Sequence, residues 1–495
     1  MSIKLTVTDL TDEGEAIAFT AEGLKVFIKG ALPGEVVETD LYGITPNYAQ
    51  GKLLKVLEAN PCRCPPFCDN SCGSCAFTEL AYNAEIELKK QKLHTLFKTK
   101  LPESYDETLF KDFVSMDNPF SYRNKSIYAV TRTDGKYVVG LYERDSHDIV
   151  MIRNCRLEQE WINKARNRIA EVLNSEEFRK YAPDNINVNS NGNGNSEPFS
   201  NNRKDSRSDI KSSSGSGCNL RYIFFRGMND GEKMVVMVFH HTPENKQQLH
   251  LIAQAIKETG VDNFLININD TPGNRILSDL NQVYNGSDRI EINLLGLNFL
   301  VHPNSFLQIN LEQTAKLYTM AVDMLELNNN DEVLDLYCGI GTISLYMAQK
   351  AKKVYGIEYV QSAVDNAKSN AEKNNIQNVD FRAGLVEKIL PQIIAEGHRI
   401  TKAVLDPARK GCDDSVFKVL ADAGVDIIAY ISCNPKSQCR DVAVAESYGY
   451  RMKSLNAVDL FPHTQHVETV VLLSRKKNRM AEKPVKSRVW RVLCF

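Results

Sequence analysis

Three apolar runs late in the chain end in residues that can do chemistry. AVLDPARKG places Asp406 at a strand's carboxyl end, and IIAYISCNP does the same for Cys433. HTQHVETVVLL puts His463, His466 and Glu468 just ahead of a last apolar run. A lone cysteine is often only a small buried hydrophobe. Cys433, however, follows an apolar strand and enters the Asn434-Pro435 turn, where a side chain is offered to a cleft. In VLDLYCGIGTISL, Gly339 and Gly341 lie between a strand and a helix, allowing a tight turn and close approach of backbone to a ligand. Ser344 stands where a dinucleotide fingerprint has its third glycine, and no GK[ST] follows, so a phosphate cradle is not indicated. Glu358 ends the next strand, KVYGIE, and an acid there accepts hydrogen bonds from a ribose diol. A nucleoside without a pyrophosphate fits best, and S-adenosylmethionine is the candidate.

A thiolate, a carboxylate and a methyl donor in one cleft define a reaction. C5 of uracil is too poor a nucleophile to take a methyl group directly. Adding a thiolate at C6 makes the ring an enolate with charge at C5. That carbon captures the sulfonium methyl, a base removes the C5 proton, and the thiolate leaves.

The elements that must position these groups are legible in outline. Residues 1–60 alternate short apolar runs with turn sequences, the pattern of a small closed β-barrel. Its Lys25, Lys29, Lys52 and Lys55 suit a nucleic-acid backbone. Residues 61–300 form a central α+β unit containing a cysteine-rich stretch. From 301 to 474 strands and helices alternate, predicting a doubly wound, mostly parallel sheet, with ligands outside its carboxyl edge. Asn, Ser and Gly dominate residues 189–217, predicting a disordered insertion. Residues 475–495 form a basic tail, read as solvated.

The cysteine-rich stretch, PCRCPPFCDNSCGSC, crowds Cys62, Cys64, Cys68, Cys72 and Cys75 together. Thiol spacing this dense signals a metal, and four thiolates suit either a [4Fe–4S] cluster or zinc. Cys68-x3-Cys72-x2-Cys75 is also the spacing of radical S-adenosylmethionine enzymes. That reading needs neither the DLYCGIGT loop nor SCNP, and both are present.

These motifs, in this order, resemble the RNA 5-methyluridine (uracil-C5) methyltransferases. The closest likeness is to the 23S rRNA branch, which carries an N-terminal TRAM domain and an iron–sulfur cluster. The likeness spans nearly the whole chain, through the barrel, the cysteine stretch, SYRNK, HPNSFLQIN, DLYCGIGT, DPARKG, SCNP and FPHTQHVET. It implies a class I (Rossmann-like) methyltransferase domain at the C-terminus. It implies Cys433 as nucleophile and Glu468 as the base for the C5 proton. It places Gln308, Tyr337, Glu358 and Asp406 around S-adenosylmethionine, with Asp406 also near the uracil. It further implies a [4Fe–4S] cluster on Cys64, Cys72, Cys75 and the distant Cys155. Cys68 competes with Cys64, because the family's first spacing is C-x5-C and neither residue reproduces it. Ala408 replaces the family's usual second proline in DPARKG. The insertion and tail have no counterpart. A transfer-RNA substrate and a cytosine-C5 substrate are the nearer alternatives.

With 495 residues, about three domains are expected. Sixty Lys+Arg balance 62 Asp+Glu, giving a net charge of −2 and excluding a uniformly basic nucleic-acid coat. No run approaches the ~20 apolar residues of a membrane span, and the N-terminus lacks a secretory apolar core. A cytoplasmic monomer acting on RNA, with no membrane partner, is the expectation.

Overall fold

A computed structural model describes residues 2–475, apart from 12, 69–71, 144–145, 147, 182–218, 272 and 274. The insertion expected at 189–217 and the tail from 476 lie outside the described residues.

Strands Ser2–Leu10, Ala16–Phe19, Lys25–Ile28, Val36–Tyr42 and Tyr48–Glu58 close into the expected N-terminal barrel. Period-two alternation builds its interior: Val26 and Ile28 are fully buried, and Lys25 and Phe27 alternate with them. Glu35 is buried beneath it and accepts hydrogen bonds from the backbone N–H groups of Leu32 and Asn60. Arg63 completes the anchor, donating from Nε to Glu35 at 2.6 Å. The barrel is thereby fixed to the start of the cysteine stretch.

The middle unit is a seven-stranded sheet in the order Asn281–Asn285, Asn263–Ile268, Lys233–Phe239, Leu220–Gly227, Lys125–Thr133, Lys136–Tyr142, Ile149–Met151. Met234 to Val238 is apolar and wholly buried, as a strand covered on both faces requires.

The C-terminal sheet has eight strands. Val379–Ala383, Lys353–Glu358, Glu332–Leu336, Ile400–Leu405 and Ile427–Ser432 run parallel. Glu468–Arg475 pairs antiparallel with Ile427–Ser432, and Tyr450–Val458 pairs antiparallel with Glu468–Arg475. The eighth strand is Phe110–Val114, which joins parallel to Tyr450–Val458 from far earlier in the chain. Helix Tyr82–Lys100 sends Leu93 and Phe97 into the same core. This stretch, assigned by sequence order to the middle unit, thus completes the C-terminal one. Several elements here have no counterpart in the sequence reading, among them strands Val379–Ala383 and Tyr450–Val458 and helices Leu311–Asp323 and Val386–Ala395. Pro391 inside the last of these reads as a breaker.

None of the described helices is long and apolar enough to cross a membrane.

Candidate active site

The carboxyl edge of the parallel sheet gathers four of the expected residues. Strand Glu332–Leu336 runs into Tyr337, which has φ of +67°, and then into Gly339 and Gly341, with φ of +53° and +84°. Helix Thr342–Ala348 starts at once. A Cβ on Gly341 would come within 2.9 Å of the Phe381 ring, so this position needs glycine. A Cβ on Gly339 would meet nothing within 4 Å, so that side of the turn is open. Glu358 ends the neighbouring strand. Its carboxylate accepts from the backbone N–H of Gly339 at 3.1 Å and of Val360 at 2.9 Å. Asp335, fully buried under the loop, accepts from the Ser344 hydroxyl, and burial pushes its carboxyl up to about 7. Ser344, at the position of the absent third glycine, thus braces the loop.

Gln308 is buried, and its backbone carbonyl accepts from the Asn124 amide at 3.0 Å. The Tyr337 ring departs from the cofactor edge: it packs against the sheet's other face beside Cys412, and burial pushes its hydroxyl far up.

Cys433 and Glu468 meet through strand register. Ser432 pairs with Thr469 in the antiparallel ladder, so the next residues outward are Cys433 and Glu468. The Thr469 hydroxyl locks the register by donating to the Ser432 carbonyl at 3.1 Å. Half-buried Cys433 has its thiol pushed up to about 11 by burial, with Glu468 and Asp406 adding to the shift and Arg409 opposing it. Glu468 is 1% exposed, its Oε2 has no hydrogen-bond partner, and burial raises its carboxyl well above the usual range. Asp406 follows strand Ile400–Leu405, retains some open surface, and is pushed up to about 7 by burial. The buried Tyr318, on helix Leu311–Asp323, has its hydroxyl raised by burial and then by Asp406 and Glu468.

Arg409 supplies positive charge to the thiol and to Glu468. Its carbonyl accepts from Asn434 Nδ2 at 3.0 Å and Ser437 Oγ at 3.1 Å, so the DPARKG loop is tied to the turn carrying Cys433. Asn434 also caps helix Pro435–Ser447, putting that helix's positive end just after the thiol. Arg409, Asp335 and Tyr318 were missed in the sequence. Arg409 lies within a quoted motif, but its role depends on how two loops meet.

The segment leading to Glu468 is clamped from several sides. Asp459 accepts from Lys89 Nζ at 2.7 Å and from the Tyr82 hydroxyl at 2.8 Å. His463 donates its backbone N–H to Glu85, and its carbonyl accepts from the N–H groups of Ala76 and Phe77. The cysteine stretch therefore abuts the loop that carries Glu468.

Within that stretch Cys75 is pushed up to about 12, chiefly by burial. Cys155, Cys72 and Cys68 add to the shift, while Arg123 opposes it. These four thiols share one neighbourhood. The backbone N–H of Cys64 donates to the Glu79 carbonyl. As the side chains stand, no group of three or more His, Cys, Asp or Glu among the described residues has a geometry that could hold a metal ion.

A parallel sheet with a GxG turn between its strand and helix, and an acid at the end of the next strand, has the fold of a class I S-adenosylmethionine-dependent methyltransferase. A profile of the tRNA (uracil-5-)-methyltransferase family matches residues 219–476, more than half of the chain, and a TRAM profile matches residues 2–54. The chain belongs to the RNA uracil-5 methyltransferase family, with a TRAM domain at its N-terminus. A protein named as an uncharacterised RNA methyltransferase of Halalkalibacterium halodurans is 33% identical over 481 residues, covering 96% of this chain and 97% of its own. One of the same name from Clostridium tetani is 32% identical, covering 95% of each. Among solved structures, the Pyrococcus abyssi tRNA (uracil-54, C5)-methyltransferase in complex with S-adenosyl-L-homocysteine superposes with a TM-score of 0.69 at 22% identity. It covers 95% of this chain and 100% of its own. At that identity the likeness concerns the fold.

Proposed function

We propose that this enzyme converts uridine to 5-methyluridine in 23S rRNA through a covalent adduct between Cys433 and the base. The observation that carries the reading is the ladder register that sets Cys433 beside Glu468, with Asp406 and Arg409 acting on both. S-adenosylmethionine, held by the Gly339–Gly341 turn, Glu358, Gln308 and Asp406, supplies an electrophilic methyl carbon when bound. Open space at Gly339 and the backbone-facing Glu358 carboxylate fit a nucleoside there. Arg409 and the helix end after Asn434 favour the Cys433 thiolate, which bonds to uracil C6 and leaves C5 nucleophilic. After C5 gains the methyl group, Glu468 accepts the C5 proton. The C6–Sγ bond then breaks, restoring the ring double bond and the thiolate. In its ionised form Glu468 is a stronger base than an exposed glutamate, because burial disfavours its charge. A target stacked in folded RNA must be extruded to reach Cys433, at a cost of about a few kcal/mol. Backbone contacts from the barrel offset that cost.

Ribosomal RNA is favoured by the union of a TRAM barrel with the thiol stretch. The name of the matching family profile favours tRNA instead. The test is to incubate the purified enzyme with S-adenosylmethionine and total RNA from cells lacking it, then map 5-methyluridine by mass spectrometry. New 5-methyluridine in 23S rRNA is the expected result; its appearance only in tRNA would reverse the assignment.

We also propose that the thiol neighbourhood holds a [4Fe–4S] cluster after modest side-chain rearrangement, with Cys68, rather than Cys64, joining Cys72, Cys75 and Cys155. Cys155, Cys72 and Cys68 all act on the Cys75 thiol, which supports that set. Anaerobic reconstitution of Cys64→Ser should retain iron and sulfide at the wild-type level, whereas Cys68→Ser should lose most of both. The reverse pattern would restore Cys64 to the ligand set.

A further inference from the structure

A cavity of about 310 Å³ lies where the middle sheet meets the segment approaching Gln308. Its lining includes Lys125, Arg226, Arg275, Asn304, Ser305 and Phe306. Arg226 is 1% exposed. Its Nη1 donates to the carbonyls of His302 and Ser305, each at 2.8 Å. Those oxygens orient the guanidinium but carry no net charge to balance it. Burial pushes Arg226 down to about 10, and burial together with Arg226 pushes Lys125 down to about 8. Neither cation is joined to a carboxylate among the described residues; Arg275 is already paired with Asp279. Two neighbouring cations, Arg226 buried and Lys125 half-buried, with no carboxylate partner among the described residues are costly unless the site receives an anion.

The placement selects the anion. Lys125 also lines a second cavity of about 250 Å³ that reaches Ser74 in the cysteine stretch. Asn124, its chain neighbour, binds the carbonyls of Gln308 and Ile309. The cations thus lie between the cysteine stretch and the segment that bears Gln308. The amino-acid end of S-adenosylmethionine carries an ammonium beside its carboxylate, and two cations repel that ammonium. A phosphodiester carries a full negative charge and no cation.

We propose that Lys125 and Arg226 form a binding pocket for one phosphodiester of the RNA substrate, holding the strand beside the extruded base. This rests on the reading of the chain as an RNA uracil methyltransferase. Lys125 then contributes both affinity and one released counterion.

The test uses the full-length enzyme, fluorescein-labelled dodecauridine and anisotropy titrations between 50 and 300 mM salt, with Lys125→Gln and Lys125→Arg compared to wild type. Lys125→Gln should weaken RNA binding roughly fivefold at low salt and flatten the log–log salt slope by about 0.7, the value for one single-strand phosphate. Lys125→Arg should restore both. S-adenosylhomocysteine affinity should stay within twofold of wild type in each variant, which also verifies that they fold. An unchanged slope in Lys125→Gln would overturn the pocket. A loss of S-adenosylhomocysteine affinity with RNA binding intact would assign it to the cofactor carboxylate instead. Either failure could coexist with a Cys433 adduct, so the parent reading is judged separately.

Discussion

Replacing Cys433 by alanine is expected to lower turnover by at least about 10⁴-fold, or ~5.5 kcal/mol of barrier. Among the described residues no other thiol at this edge can replace it: Cys338 in the GxG turn and Cys412 beside Tyr337 are buried, and Cys439 is buried within helix Pro435–Ser447. Without addition at C6, C5 lacks the electron density to take a methyl group, so the loss falls on the chemical step. Affinities for S-adenosylhomocysteine and RNA should change little, because the half-buried thiol contributes small area and donates no hydrogen bond to the GxG turn. Single-turnover methylation and equilibrium binding, measured on one preparation, check both halves. Residual turnover within tenfold of wild type would remove the covalent step.

Changing Glu468 to glutamine should give a different defect. The thiolate can still add and the methyl group can still arrive, but the C5 proton has no acceptor. Turnover should fall by roughly 10²–10⁴-fold. A denaturation-resistant protein–RNA species should accumulate with the methyl group already on the base. Gel electrophoresis with S-adenosylmethionine labelled in its methyl group reads this directly. Stability should move the other way. The native carboxyl keeps its proton at pH values where the unfolded glutamate, near ~4.3, has lost it. The native state then binds more protons than the unfolded one, so this residue destabilises the fold increasingly as pH rises above the unfolded value. Glu468→Gln should therefore melt above wild type at pH 8, with a smaller gap at pH 5. A variant that melts lower at pH 8 would show that the carboxylate is ionised and paired.

The sequence carried the reactive edge further than it carried the fold around it. Asp406, Cys433 and Glu358 could be read locally, since each ends an apolar run where an α/β sheet opens. The pairing of Cys433 with Glu468 could not, because it arises from the antiparallel register of Ile427–Ser432 with Glu468–Arg475. Arg409 was hidden for a similar reason: its effect requires Asn434 and Ser437 to draw one loop onto another. Phe110–Val114 is a short, mixed segment whose partner strand begins at Tyr450, and local pattern gives no hint of such distant pairing. Spacing alone left Cys64 and Cys68 equivalent; packing placed Cys68 near Cys75. Lys125 entered the sequence reading only within SYRNK and Arg226 not at all; the antiparallel register sets them side by side.

The covalent bond is most directly tested by presenting the enzyme with RNA containing 5-fluorouridine in place of uridine, together with S-adenosylmethionine. Fluorine at C5 cannot leave as a proton, so the adduct should persist through denaturation. Proteolysis and mass spectrometry should then find the methylated fluoropyrimidine on the peptide containing Cys433. The absence of any RNA-linked peptide, or a link at another residue, would contradict the account.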